Sequence, residues 1–140
     1  MQRLKAQIKI QIVTNQEFSE SIIKPVLSFI DNQTDTCLGS EEINDIKTAV
    51  LEAVENAFTF AYPGRKGAVS ISVSIYKDNT IEVSVKDFGS GIADISKARE
   101  SLFTTKEGHS GMGFTIMETF SKNVIVKSEF GRGTTVILQF

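Results

Sequence analysis

The stretch "AVSISVSIYKDNTIEVSVKD", residues 68–87, constrains the fold more than any other part of the chain. Two runs alternate apolar and polar side chains, the period-two signature of β-strands, and Asp78-Asn79 joins them at hairpin spacing. Such strands need a second layer to cover an apolar face, and the segment before them supplies one. Ile43, Ile46, Val50, Val54, Ala57, Phe58 and Ala61 recur at helical spacing until "YPG" ends the run, and Ser40 stands where an N-cap belongs. Leu4, Ala6, Ile8, Ile10 and Ile12 alternate as an N-terminal strand with one buried face. Thr14 and Glu17 have capping-box spacing ahead of Phe18, Ile22, Val26, Phe29 and Ile30, a helix that Pro25 should kink. "DISKARESLF" and "GFTIMETFS" read as short helices, and "NVIVKSE" with "TTVILQF" as a closing hairpin. Strands and helices are segregated rather than alternating. This predicts an α+β fold, a two-layer sandwich with helices on one sheet face. The 140 residues suit one domain spanning 1–140, of a size that hides roughly 68–70% of the unfolded chain's surface.

Charge and cysteine content narrow the function. Fifteen basic against seventeen acidic residues give a net charge of −2, no basis for direct nucleic-acid binding through phosphate neutralisation. Cys37 is the one cysteine, so an internal disulfide is impossible and a reducing cytoplasm is the expected setting. No apolar run approaches the ~20 residues that cross a bilayer, and the polar–apolar N-terminus does not read as a signal peptide. Neither a membrane partner nor a role for Cys37 is expected.

The glycines are placed unevenly. Seven of ten lie from Gly89 onward, as the pairs Gly89/Gly91, Gly111/Gly113 and Gly131/Gly133 plus Gly108. Three pairs punctuating the ends of helices and strands suggest a loop-lined ligand site, although Gly131-Arg132-Gly133 alone reads as a hairpin turn. "KDFGSG" at 86–91 invites a kinase reading through Asp87-Phe88-Gly89. That fails, because no H-R-D loop precedes it and the one histidine, His109, lies downstream. A dinucleotide fingerprint fails too, since Gly91 is followed by Ile92, Ala93 and Asp94, and no P-loop exists. "LEAVENA" places Glu52 and Asn56 at i, i+4, on one helix face. Asn56 is awkward beside an apolar stripe, where an unpartnered buried amide costs about 1–3 kcal/mol. It reads either as a solvated helix-edge residue or as an oxygen ligand for Mg²⁺.

Taken in order, E-x-x-x-N, D-x-G-x-G, G-x-G and G-T-T resemble the ATP-binding domain shared by gyrase, Hsp90, histidine kinases and MutL. "LFTTK" and "SGMGFTIMETF" are similar to the lid and second glycine box of bacterial anti-sigma factors with serine-kinase activity, the regulators of sporulation and general-stress sigma factors. The resemblance covers essentially the whole chain. It implies a Bergerat-type fold: a mixed, mostly antiparallel sheet covered by helices on one face. It implies Mg²⁺ held by Asn56, Glu52 as the general base, and Asp87 accepting from the adenine amino group. Gly89 and Gly91 would lie against the nucleotide. Thr104, Thr105 and Lys106 would form the lid, leading to His109, Ser110, Gly111 and Met112. Gly111 and Gly113 would open a phosphate-binding helix, with Thr135 beside the base. The implied partners are a sigma factor and a STAS-type anti-anti-sigma protein, and the implied state is a homodimer. The chain departs from the pattern where relatives carry an arginine before "SGMG" and it carries His109. It departs again in a short lid, Glu107-Gly108-His109, and in Glu20, where the sporulation factor has a partner-contacting arginine. These departures bear on phosphoryl transfer and partner choice rather than on ATP binding. A nucleotide-dependent binding module without kinase activity therefore stands as the alternative. A histidine-kinase catalytic domain would require a phosphoacceptor hairpin that the chain lacks.

Overall fold

The computed structural model describes residues 2–14, 18–33, 38–62, 65–91 and 113–140. Strand β1 spans Leu4–Val13, followed by a 3-10 turn at Glu20–Ile23 and helices α1 (Lys24–Gln33) and α2 (Ser40–Phe60). Strands β2 (Ala68–Tyr76) and β3 (Ile81–Asp87) come next, then α3 (Gly113–Phe120), β4 (Asn123–Glu129) and β5 (Gly133–Gln139). The strands form one sheet in the order β1-β2-β3-β5-β4. The sheet, expected to be mixed and mostly antiparallel, is antiparallel in every described pairing. Its hairpins are the ones the alternation predicts, with Ile75 opposite Ile81 across the 77–80 turn and Glu129 opposite Gly133.

Alternation decides which face is covered. Val69, Ile71, Val73 and Ile75 of β2, Val83 and Val85 of β3, and Val136 and Leu138 of β5 are buried. They join Ile46, Val50, Ala53 and Val54 of α2, Val26 and Ile30 of α1 and Met117 of α3 in one core. Complete burial of a valine such as Val50 or Val54 stabilises by about 1.5–3 kcal/mol. On the other face Gln11, Ser70, Lys86, Thr135 and Lys127 form one continuous row across all five strands. The helices thus lie on one side of the sheet, as expected.

Four local expectations are revised. Thr14 does not cap a helix: its amide donates to the Gly67 carbonyl (2.9 Å) and its hydroxyl accepts from the Gly67 amide (3.0 Å), tying β1 to the start of β2. Phe18 precedes the 3-10 turn rather than belonging to a helix, and packs edge-on against Phe58 of α2 at 5.8 Å. Pro25 is the second residue of α1 and does not interrupt it, because the first turn of a helix needs no intrahelical N–H donor. At α2 the N-cap is Gly39, not Ser40, and its amide donates to the Glu42 carboxylate (3.2 Å). Glu17, Cys37 and the segment read as a helix over 94–103 lie outside the described residues.

Candidate nucleotide-binding site

The C-terminal half of α2 brings Glu52 and Asn56 one turn apart, about 6 Å along the axis. Glu52 is half-buried. Loss of solvent and then the neighbouring Glu55 charge push its carboxyl above the usual range. A carboxylate so placed is a better proton acceptor than a solvated one. Asn56 is also half-buried. It sits beneath the start of α3, and a side chain added at Gly113 would come within 2.9 Å of its Nδ2 and 3.3 Å of its Oδ1. The fold therefore sets the amide against the N-terminal end of α3, whose Met117 anchors the helix in the core.

Asp87 closes β3, buried on the helix-covered side of the sheet. Its Oδ1 accepts from the amides of Gly89 (3.0 Å) and Thr134 (3.2 Å). Burial pushes the carboxyl up, and the two N–H donors offset part of that rise. A buried carboxylate in this state gains from one more donor, such as an exocyclic amine.

The first glycine pair has a packing role of its own. A Cβ at Gly89 would run into the Ala61 carbonyl at the end of α2, and Gly91, at φ +73°, would meet the Glu129 carbonyl of β4. Hydrogen bonds fasten the same loop: the Ser90 amide donates to Ala61 (3.1 Å) and the Gly131 amide donates to the Ser90 carbonyl (2.7 Å). The loop after Asp87 is clasped between α2 and the β4–β5 hairpin.

Thr134 and Thr135 lie on opposite faces of the sheet. Thr135 pairs with Lys86 on the open face of the sheet, away from Asp87. Strand alternation puts Thr134 on the buried side instead, where its amide binds Asp87. Parity counted back from the apolar Val136 and Leu138 is the sequence signal for this. Thr104, Thr105, Lys106, His109, Ser110, Gly111 and Met112 lie outside the described residues. No cluster of three or more His, Cys, Asp or Glu side chains suited to a metal occurs among the described residues. No helix among them is long and apolar enough to cross a membrane.

The Asp87 charge makes a stability prediction. Its folded pKa is raised, so between the ordinary carboxylate value of ~3.9 and the folded value the native state binds more protons than the unfolded chain. That contribution is fully present below the ordinary value and is lost as pH rises through the folded one. Asp87→Asn should remove it. In nucleotide-free melts between about pH 4 and 7, the Tm of the variant relative to the parent should climb with pH. A constant offset would show that the carboxylate carries no burial penalty.

A helix pair over an antiparallel sheet, with Asn56 under one helix end and a buried aspartate at a strand end, defines a class, the histidine kinase-like ATPase domain. The model of that family matches residues 23–140. The anti-sigma F factor of Geobacillus stearothermophilus is 45% identical over 128 residues, covering 89% of this chain and 83% of that protein. The anti-sigma F factor of Clostridium acetobutylicum is 37% identical over 138 residues, covering 97% and 94%. The chain belongs to the anti-sigma F factor family of histidine kinase-like ATPase domains. Solved structures share the fold at low identity. The RsbU and RsbW domains of a Mycobacterium tuberculosis protein align at TM-score 0.65 and 18% identity, over 96% of this chain and 32% of that one. The histidine kinase domain of an Erythrobacter litoralis blue-light-activated kinase aligns at TM-score 0.62 and 23%, over 86% and 59%. The chain spans less than two thirds of either solved chain.

Proposed function

We propose that residues 1–140 form one ATPase domain that binds Mg²⁺-ATP, sequesters a sigma factor and phosphorylates a serine on a STAS-type anti-anti-sigma protein. The observation that carries the chemistry is the shared face of Glu52 and Asn56 on α2, with Asn56 directly beneath Gly113. The relatives' name, anti-sigma F factor, supports the sigma partner. In this reading the adenine amino group donates to Asp87, and the amides at the start of α3 face the phosphates. Asn56 fits a hard cation through its amide oxygen, with the remaining ligands supplied by phosphates and water, the usual Mg²⁺ arrangement. The cation supplies charge neutralisation on the transferring phosphoryl group. The serine hydroxyl oxygen bonds to the γ-phosphorus, the bond from that phosphorus to the β–γ bridging oxygen breaks, ADP leaves, and Glu52 takes the hydroxyl proton. A homodimer working in the cytoplasm, in a sporulation or stress programme, completes the proposal.

The test is incubation with labelled Mg²⁺-ATP, a sigma factor and candidate STAS proteins. Label should appear on a serine of one STAS protein, and that protein should release the sigma factor. His109 and the short lid favour the alternative of binding without transfer, which the same assay separates: sigma capture would then need ATP and no label would move. Asn56→Ala should remove the Mg²⁺-dependent tightening of ATP binding while the fold survives. Unaltered Mg²⁺ dependence in calorimetry would sink the metal assignment.

A further inference from the structure

Tyr62 is buried just beyond the end of α2, six residues after Asn56. Its hydroxyl donates to the Ala68 carbonyl (2.6 Å) and accepts from the Phe88 amide (2.8 Å), so its donor and an acceptor site are both used. These two partners bracket Asp87. Phe88 follows it in the chain, and Ala68 precedes Val69, the residue paired with Asp87 across the β2–β3 ladder. The ring fills the space that a side chain at Gly67 would need, and the Arg65 guanidinium lies over it at 5.7 Å. Next to it, the Ala61 carbonyl accepts from Ser90. Two consecutive residues at the end of α2 therefore receive two of the amides that follow Asp87.

We propose that Tyr62 is a positioning residue for base recognition, fixing the buried Asp87 carboxylate at a set distance from the α2 face that carries Asn56. The proposal rests on Asp87 reading the adenine amino group. Its consequence is specific. Loosening the β3 exit lets the carboxylate drift relative to the base, whereas the triphosphate end, held by α2 and α3, is untouched. Loss should fall on ATP and spare GTP, whose base presents a carbonyl oxygen where adenine has its amino group.

The experiment compares Tyr62→Phe with the parent by calorimetry, using Mg²⁺-ATP and Mg²⁺-GTP, with Asp87→Asn in parallel. Tyr62→Phe should weaken ATP about tenfold and leave GTP nearly unchanged, narrowing the preference as Asp87→Asn does. Equal losses on both nucleotides, or none, would overturn the positioning role while Asp87→Asn still narrows the preference. If Asp87→Asn leaves the preference intact, adenine reading itself fails, and the role of Tyr62 with it. Amide exchange in the unaltered protein gives a readout that does not depend on a variant folding. The Phe88 amide should exchange as slowly as the ladder amides of Val83 and Val85. Exchange at a loop rate would mean that the Tyr62 hydroxyl does not hold it.

Discussion

Glu52→Gln should leave Mg²⁺-ATP binding intact and slow serine phosphorylation by roughly 10²–10⁴-fold, the usual contribution of a general base. Glutamine keeps the shape and the packing of a half-buried side chain on α2, so the fold has little reason to change. In the proposed mechanism, what it would lose is the capacity to take the serine proton. The raised pKa of Glu52, caused by burial and then by Glu55, adds a second expectation. A base must be deprotonated to act, so the parent rate should climb with pH through the Glu52 pKa, above the ordinary glutamate range, and then level off. The variant's residual rate should not show that rise. Single-turnover transfer from labelled ATP to the STAS protein measures both. A variant that transfers at the parent rate would reduce Glu52 to a structural carboxylate.

The parts of the fold legible in the sequence were those set by local periodicity. The stripe of α2 and the alternation of β2, β3, β4 and β5 fall where they do because burial on one face repeats every 3.6 or every two residues. Boundaries were less legible because distant residues decide them. Thr14 looks like a cap until Gly67, 53 residues away, takes both its amide and its hydroxyl. The site divides in the same way. Motif order singles out Glu52, Asn56 and Asp87 as candidates, and the fold places Asn56 beside Gly113. The order of motifs does not carry strand parity, which puts Thr134 rather than Thr135 on the Asp87 side of the sheet. Tyr62 carried no sequence signal: its partners are 6 and 26 residues away, and nothing local marks a tyrosine as the clamp between them.

The glycines read as ligand contacts have the sharpest structural test, which comes from Gly89→Ala. A methyl group there would press on three backbone atoms of Ala61: the carbonyl oxygen, the carbonyl carbon at 2.5 Å and the Cα at 2.8 Å. Backbone cannot rotate aside as a side chain can, and the neighbouring Ser90–Ala61 hydrogen bond holds the two segments together. Either the loop lifts off α2, breaking that bond and the Gly89–Asp87 bond, or the helix end distorts. The cost should reach about 3 kcal/mol, the upper part of the range for overpacking. That is a fall of roughly 10 °C in Tm for a domain of this size. Two other glycines calibrate the measurement. Gly39→Ala adds a methyl where nothing lies within 4 Å, at a φ of −63° that alanine adopts freely, and should cost well under about 1 kcal/mol, the preference of an N-cap for glycine over alanine. Gly131→Ala also has open space, but its φ is +83°, so it should cost about 1 kcal/mol through backbone conformation alone. Denaturant melts without nucleotide should rank the three as Gly89, Gly131, Gly39. If Gly89→Ala proves as mild as Gly39→Ala and instead weakens only ATP binding, the loop has room against α2. The glycine would then serve the nucleotide rather than the fold.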